Sequence, residues 1–179
     1  MTADPYAGII RSARRRPLWE AKASTREVAI GRDAIGRILP HRDPALMLDE
    51  ITAIDLDQQC IRAIREVSVD DPGFAGHFPG EPVFPAFRQF EIAGQAGICL
   101  LDFVRRHSHE VPANLQPRRV RPIKAHHGVL LAEIHPGDSL TALAKILVDD
   151  ELTSIFAAQL LTGDILCSLL IVEVCFADP

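Results

Sequence analysis

No apolar run in this chain approaches the roughly 18 uninterrupted residues that a membrane-crossing helix requires, so a membrane span is not expected. No C-x-x-C spacing occurs among Cys60, Cys99, Cys167 and Cys175. Each lies in an apolar or strand-like context, which predicts reduced core thiols and a cytoplasmic setting rather than a disulfide framework. A basic excess is lacking as well: 19 Lys and Arg stand against 24 Asp and Glu, for a net charge of −5, which argues against a general nucleic-acid-binding role. The run Arg14, Arg15, Arg16 is followed by PLWEAKAS, with charges and no apolar segment, so it is not read as an export signal. Internal repeats and low-complexity segments are missing.

What is present fits one domain preceded by an arm. A chain of 179 residues can bury about 70% of its unfolded surface and needs no disulfide or metal to stay folded. Residues 1–32 are assigned to an N-terminal arm and residues 33–179 to a single domain. Asp33 is a plausible N-cap for a short helix ending near Leu39, stopped by Pro40. Segments 46–54 and 60–69 read as two strands joined by the polar turn 55–59. Further strands are expected at 139–148, 152–161 and 165–176, with another between 120 and 134, and Thr162, Gly163 and Asp164 form the last turn.

The densest pattern is residues 76–95, GHFPGEPVFPAFRQFEIAGQ. Pro82 and Pro85 fix their own φ angles and push the preceding residues toward extended geometry, so 77–84 cannot be helical. Pro85 suits a first helical position. Beyond it, apolar residues at Phe87, Phe90, Ala93, Leu100, Leu101 and Val104 keep the period of one buried helix face, predicting a helix over 85–106. Gly94 and Gly97 on this helix are expected to let another backbone come close. The polar residues Arg88, Glu91, Gln95, Asp102 and Arg106 fall on one strip. That strip is read either as a solvated face with Arg88–Glu91 and Asp102–Arg106 ion pairs, or as the seat of a general acid or base at Glu91 working with His77.

Three other histidines, His126, His127 and His135, invite a metal reading. His126 and His127 are neighbours, which on a strand point to opposite faces, and no Asp or Cys stands at a familiar ligand spacing. Metal binding is not expected, and ordinary surface imidazoles are.

The segment HFPGEPVFPAFRQFEIAGQ resembles the active-site segment of the 3-hydroxyacyl-acyl carrier protein dehydratases, a pattern of HFPG-x-P-V-x-PG followed by a helix bearing Glu. ILPHRDPALMLD at 38–49 resembles that family's upstream block, and PGD at 136–138 its turn before a late strand. The resemblance implies an α+β hotdog fold, an antiparallel sheet of five to six strands wrapped around one long helix. It implies catalytic roles for His77 as base and Glu91 as acid, with no cofactor. It also implies a homodimer, further assembly left open, in which the histidine of one protomer faces the glutamate of the other. The substrate implied is a (3R)-3-hydroxyacyl thioester on acyl carrier protein or coenzyme A, dehydrated to the trans-2-enoyl thioester. His41, in the upstream block, is expected to shape the mouth of the site rather than to catalyse.

The thioester carbonyl gathers charge as C2 loses its proton, and the Ala86 N–H, in the first helical turn, is the expected donor to it. Three residues depart from the family pattern: Ala86 replaces Gly, and Arg88 and Gln89 replace aliphatic residues. A guanidinium three residues before Glu91 favours the ionised carboxylate. Arg88 therefore either points elsewhere, toward a phosphate or polar group of the substrate, or leaves Glu91 acting as a carboxylate. Arg118, Arg119, Arg121 and Lys124 are the expected docking surface for an acidic carrier. The competing functions are a hotdog thioesterase or isomerase, and a degenerate member that binds acyl chains or a partner subunit.

Overall fold

The computed structural model describes residues 4–176. Its longest helix, α3 (Ala86–Arg106), begins where the stiff Pro82–Pro85 stretch ends, with Pro85 in extended geometry as the N-cap residue rather than the first helical one. The helix stops at His107, whose left-handed φ of 50° lets its N–H return to the carbonyls of Phe103 and Val104. Arg105 and Arg106 occupy the last turn, where positive charge suits the helix dipole.

Seven antiparallel strands wrap this helix: β1 (Arg26–Gly31), β2 (Glu50–Asp55), β3 (Cys60–Glu66), β4 (Val120–Leu130), β5 (Ser139–Asp149), β6 (Thr153–Thr162) and β7 (Ile165–Phe176). Their order in the sheet is β1-β2-β3-β5-β6-β7-β4. One strand more is present than the sequence pattern predicts. It is β1, which lies within the stretch assigned to the arm yet pairs antiparallel with β2, with one register shift between Glu27 and Ile30. Two short α-helices are also present, α1 (Ala7–Ala13) and α2 (Arg32–Ile38); Gly31, not Asp33, is the N-cap residue of α2.

The core lies between α3 and the concave face of the sheet. Ile92, Ala96, Cys99 and Phe103 from the helix meet Ile54, Ile61, Ala142, Phe156 and Leu160 from the strands. Gly97 is required there: a Cβ on it would stand 2.0 Å from the Phe156 ring, so a side chain rather than another backbone makes the close approach. A Cβ on Gly94 would meet nothing within 4 Å beyond its own helix among the described residues.

The convex face has a core of its own. Trp19 and Leu18 lie over Ala53, Cys60, Leu143 and Leu161, which explains why β6 is buried on both faces. The arm is fixed by Gln159, a fully buried amide in β6. Its Nε2 donates to the carbonyls of Ala13 and Arg16, and its Oε1 accepts from the Leu18 N–H at 2.5 Å. Backbone groups of the arm thus satisfy a polar side chain that would otherwise be buried without partners. At its start, Tyr6 packs edge-on against His126 of β4, their rings 5.0 Å apart.

Candidate active site

The loop before α3 closes on itself by paired hydrogen bonds. Val83 N–H donates to the His77 carbonyl at 3.0 Å, and Phe78 and Glu81 exchange backbone bonds of 3.2 and 3.1 Å. Gly76 and Gly80 supply the positive φ angles, 79° and 82°, at which the loop turns. Phe84 N–H donates to the Ile134 carbonyl at 2.8 Å, tying the loop to the segment after β4.

This closure fixes the His77 ring. Its Nδ1 lies 2.7 Å from the Val83 carbonyl, and a carbonyl can only accept, so Nδ1 carries the proton. In the neutral imidazole the lone pair is then on Nε2. His77 lines a cavity of about 440 Å³ together with Val83, Ala86, Gln89 and residues 130–133. Ala86 thus borders this space, and no side chain caps the first turn of α3. Gln89 is almost wholly buried, its Nε2 donating to the Phe84 carbonyl at 3.2 Å and its Oε1 without a partner among the described residues.

Glu91 is not among the residues lining that cavity. Its carboxylate accepts from Gln95 Nε2 at 2.8 Å and lies 3.3 Å from His41 Nε2, while 43% of the side chain stays exposed. Gln95 is buried, not part of a solvated strip; its Nε2 also donates to the Ala45 carbonyl, and its Oε1 accepts from the Met47 N–H. The 38–49 block is thereby clamped to the helix, and Glu91 is held from one side. Gln95 and His41 are the site residues that sequence reasoning missed in this role. The spacing of four between Glu91 and Gln95 was a usable signal, since such residues are neighbours on a helix.

Arg88 takes no part in this group. Its Nη2 pairs with Asp71 Oδ1 at 3.0 Å, and the Asp71 side chain is almost wholly buried. Asp71 also accepts from Arg65 at 2.8 Å, Arg65 reaches Asp49 at 3.2 Å, and Asp49 accepts from Arg32 at 2.9 Å. A ladder of alternating charges thus runs from α2 to the start of α3. Gly73 backs onto it so closely that a Cβ there would meet Arg88 Nε at 2.7 Å. Of the other pair expected on the helix, Arg106 meets Asp102 at 2.7 Å.

A family model described as a FabA-like domain matches residues 39–154. The chain belongs to the FabA-like family. A curated relative from Chlamydia trachomatis serovar L2, the 3-hydroxyacyl-[acyl-carrier-protein] dehydratase FabZ, is 33% identical over 120 residues, 65% of this chain and 72% of that one. The protein of the same description from Methylobacterium nodulans is 38% identical over 105 residues, 58% of this chain and 61% of that one. Among solved structures, a chain of the dehydratase heterocomplex ApeI:P from Xenorhabdus doucetiae aligns with a TM-score of 0.64 at 15% identity, over 80% of this chain and 91% of that one. The architecture is the hotdog fold.

His126 lies 2.9 Å from the Glu173 carboxylate through Nε2, beside a register shift in β4. Among the described residues no group of three His, Cys, Asp or Glu side chains is placed to hold a metal ion. No helix among them is long and apolar enough to cross a membrane. Burial pushes the Cys60 thiol up to about 12 and raises those of Cys99 and Cys167 as well.

Proposed function

We propose that this protein catalyses the reversible dehydration of a (3R)-3-hydroxyacyl thioester to the trans-2-enoyl thioester. The observation that carries this reading is the His77 ring, whose Nδ1–H is committed to the Val83 carbonyl and whose Nε2 lone pair is left on a residue lining the cavity beside the start of α3. Nε2 takes a proton from C2, the C2–C3 double bond forms, and the C3–O bond breaks. Glu91 gives its proton to the departing hydroxyl, which leaves as water. Negative charge gathering on the thioester oxygen is met by the Ala86 N–H, helped by the positive end of the α3 dipole. In hydration His77 and Glu91 exchange roles. The relatives named above act on acyl carrier protein substrates by their descriptions, which supports the same substrate class here.

Because Glu91 does not line the His77 cavity of its own chain, the working site is composite, His77 from one protomer facing Glu91 of a second copy. Two features support this. Among the described residues the edge strand β4 has a sheet neighbour on one side alone, β7, and offers eleven residues of backbone to a second copy. Phe87, on the first turn of α3, and Ile123, on β4, are exposed apolar side chains that a second copy would cover. Arg118, Arg119, Arg121 and Lys124 are all exposed and supply a basic surface to an acidic carrier. The protein is assigned to the cytoplasm.

The test is incubation with crotonyl and 3-hydroxyacyl thioesters on carrier protein and on coenzyme A, following hydration, dehydration and free thiol. Reversible hydration that disappears in His77→Ala is the expected result. Release of thiol without hydration means a thioesterase, and no turnover on any substrate means an acyl-binding member.

A further inference from the structure

Three arginines of the N-terminal arm converge beside the cavity that holds His77. Arg11 on α1, with Arg14 and Arg15 in the turn that ends it, borders a second cavity of about 350 Å³ whose remaining wall is Leu131. Leu131 also lines the His77 cavity, so the two spaces share a wall. Its position is set by the sheet, since the Leu131 N–H donates to the Cys167 carbonyl at 2.7 Å.

The arm is not free to carry these arginines elsewhere. Gln159 holds the Ala13 and Arg16 carbonyls, and Trp19 is buried on the convex face just beyond. Arg11 and Arg15 stand four apart, and Arg11 and Arg14 three apart, so all three project from one side of the turn. Like charges at that spacing repel, and among the described residues none of the three makes an ion pair or a side-chain hydrogen bond that offsets it. By contrast the adjacent Arg16 is engaged, its Nε donating to Ser12 Oγ at 2.7 Å. In a chain of net charge −5, an unneutralised cationic pocket abutting the reaction cavity calls for an anionic ligand.

We infer that Arg11, Arg14 and Arg15 form a phosphate clamp that holds the phosphate of the substrate's pantetheine arm while the thioester lies against His77. This rests on the thioester reading above and adds to it a binding site on a segment outside the matched residues 39–154. The chemistry fits the geometry. A thioester with its reacting carbons at His77 must lead its carrier arm out past the cavity wall, and a phosphate is the anion that arm carries, whether joined to a carrier protein or to coenzyme A. Guanidinium groups bind phosphate by forked, charge-assisted hydrogen bonds, which three convergent arginines can supply from several directions.

The test is calorimetric binding of unacylated probes to the full chain: 4′-phosphopantetheine against pantetheine, for the parent and for the triple variant Arg11→Gln, Arg14→Gln, Arg15→Gln. The parent is expected to bind the phosphorylated probe about tenfold or more tightly than the other, and the ratio to fall toward one in the variant. Should the triple variant not fold, raising salt on the parent must erase the same ratio, because an exposed phosphate contact is screened. Coenzyme A separates the sources: affinity equal to that of phosphopantetheine assigns the clamp to the phosphate common to both carriers, and much tighter binding assigns it to the nucleotide phosphates. Equal affinity of the parent for phosphopantetheine and pantetheine overturns the clamp. Binding needs no turnover, so a parent that discriminates the probes yet dehydrates nothing sinks the dehydratase reading alone.

Discussion

Arg88 turns its guanidinium to Asp71, 3.0 Å away, and so leaves the Glu91 carboxylate to Gln95 and His41. The residue that most opposed an acid role for Glu91 is occupied in holding the loop before α3 to the charge ladder beneath it. Ala86 and Gln89 remain as the departures that line the cavity.

Arg88→Leu is expected to act on stability rather than on chemistry. Asp71 would keep Arg65 but lose one of two cationic partners in a buried site, a cost of about 2 kcal/mol, read as a lower urea midpoint. KM for a thioester substrate should stay near the parent value. A large rise in KM without a loss of stability would place Arg88 in substrate binding instead.

Gln95→Leu removes the donor to Glu91 and strands the Met47 N–H and Ala45 carbonyl. The expected outcome is a fall in kcat of about tenfold with a smaller change in KM, together with about 1–3 kcal/mol of lost stability for the unpaired backbone groups. His41→Ala should lower kcat while sparing stability, since His41 reaches Glu91 but its Nδ1 has no partner among the described residues. Steady-state kinetics beside thermal melts separate the two.

Gly97→Ala tests the packing of α3 on the sheet. The added methyl would meet the Phe156 ring far inside contact distance, so a loss of about 3 kcal/mol is expected despite the gain in helix propensity. Gly94→Ala, with nothing within 4 Å inside the chain, should not show that penalty in its melt.

Asp55 sets an acid limit for the arm. Burial acts to raise its pKa, but hydrogen bonds from the Gln58 backbone and side chain, Ser24 and Thr25 outweigh it and bring the value down to about 2. A carboxylate with a folded pKa below its ordinary value of 3.8 stabilises the fold above that pH, and the contribution drains away as pH falls toward about 2. A stability profile taken downward from pH 5 should therefore decline less steeply in Asp55→Asn than in the parent. Parallel profiles would count against it.

The parts of the fold legible in the sequence are those with a strong period. α3 is expected over 85–106 and spans Ala86–Arg106, and the last three strands lie within a few residues of their expected ranges because polar turns separate their apolar runs. β1 escaped because REVAIG is short, sits at a sheet edge and is mostly exposed, turning Val28 and Ile30 alone toward the core. His77, Ala86 and Glu91 stood out by motif. The Arg88–Asp71 pair did not, because helix spacing offers Arg88 the nearer Glu91, and only the folded loop brings Asp71 beneath it. Arg14, Arg15 and Arg16 read as a bare charge run, and Arg11 joins Arg14 and Arg15 only once Gln159, over 140 residues away, fixes where the arm lies.

The central claim is a catalytic pair shared between two copies, and it is tested most directly by mixing two dead variants. His77→Ala and Glu91→Gln should each lose nearly all hydratase activity as purified. After unfolding together and refolding, half of the dimers are mixed and each holds one intact pair, so about a quarter of the parent activity should return. Mixtures that stay as inactive as their components would contradict the composite site.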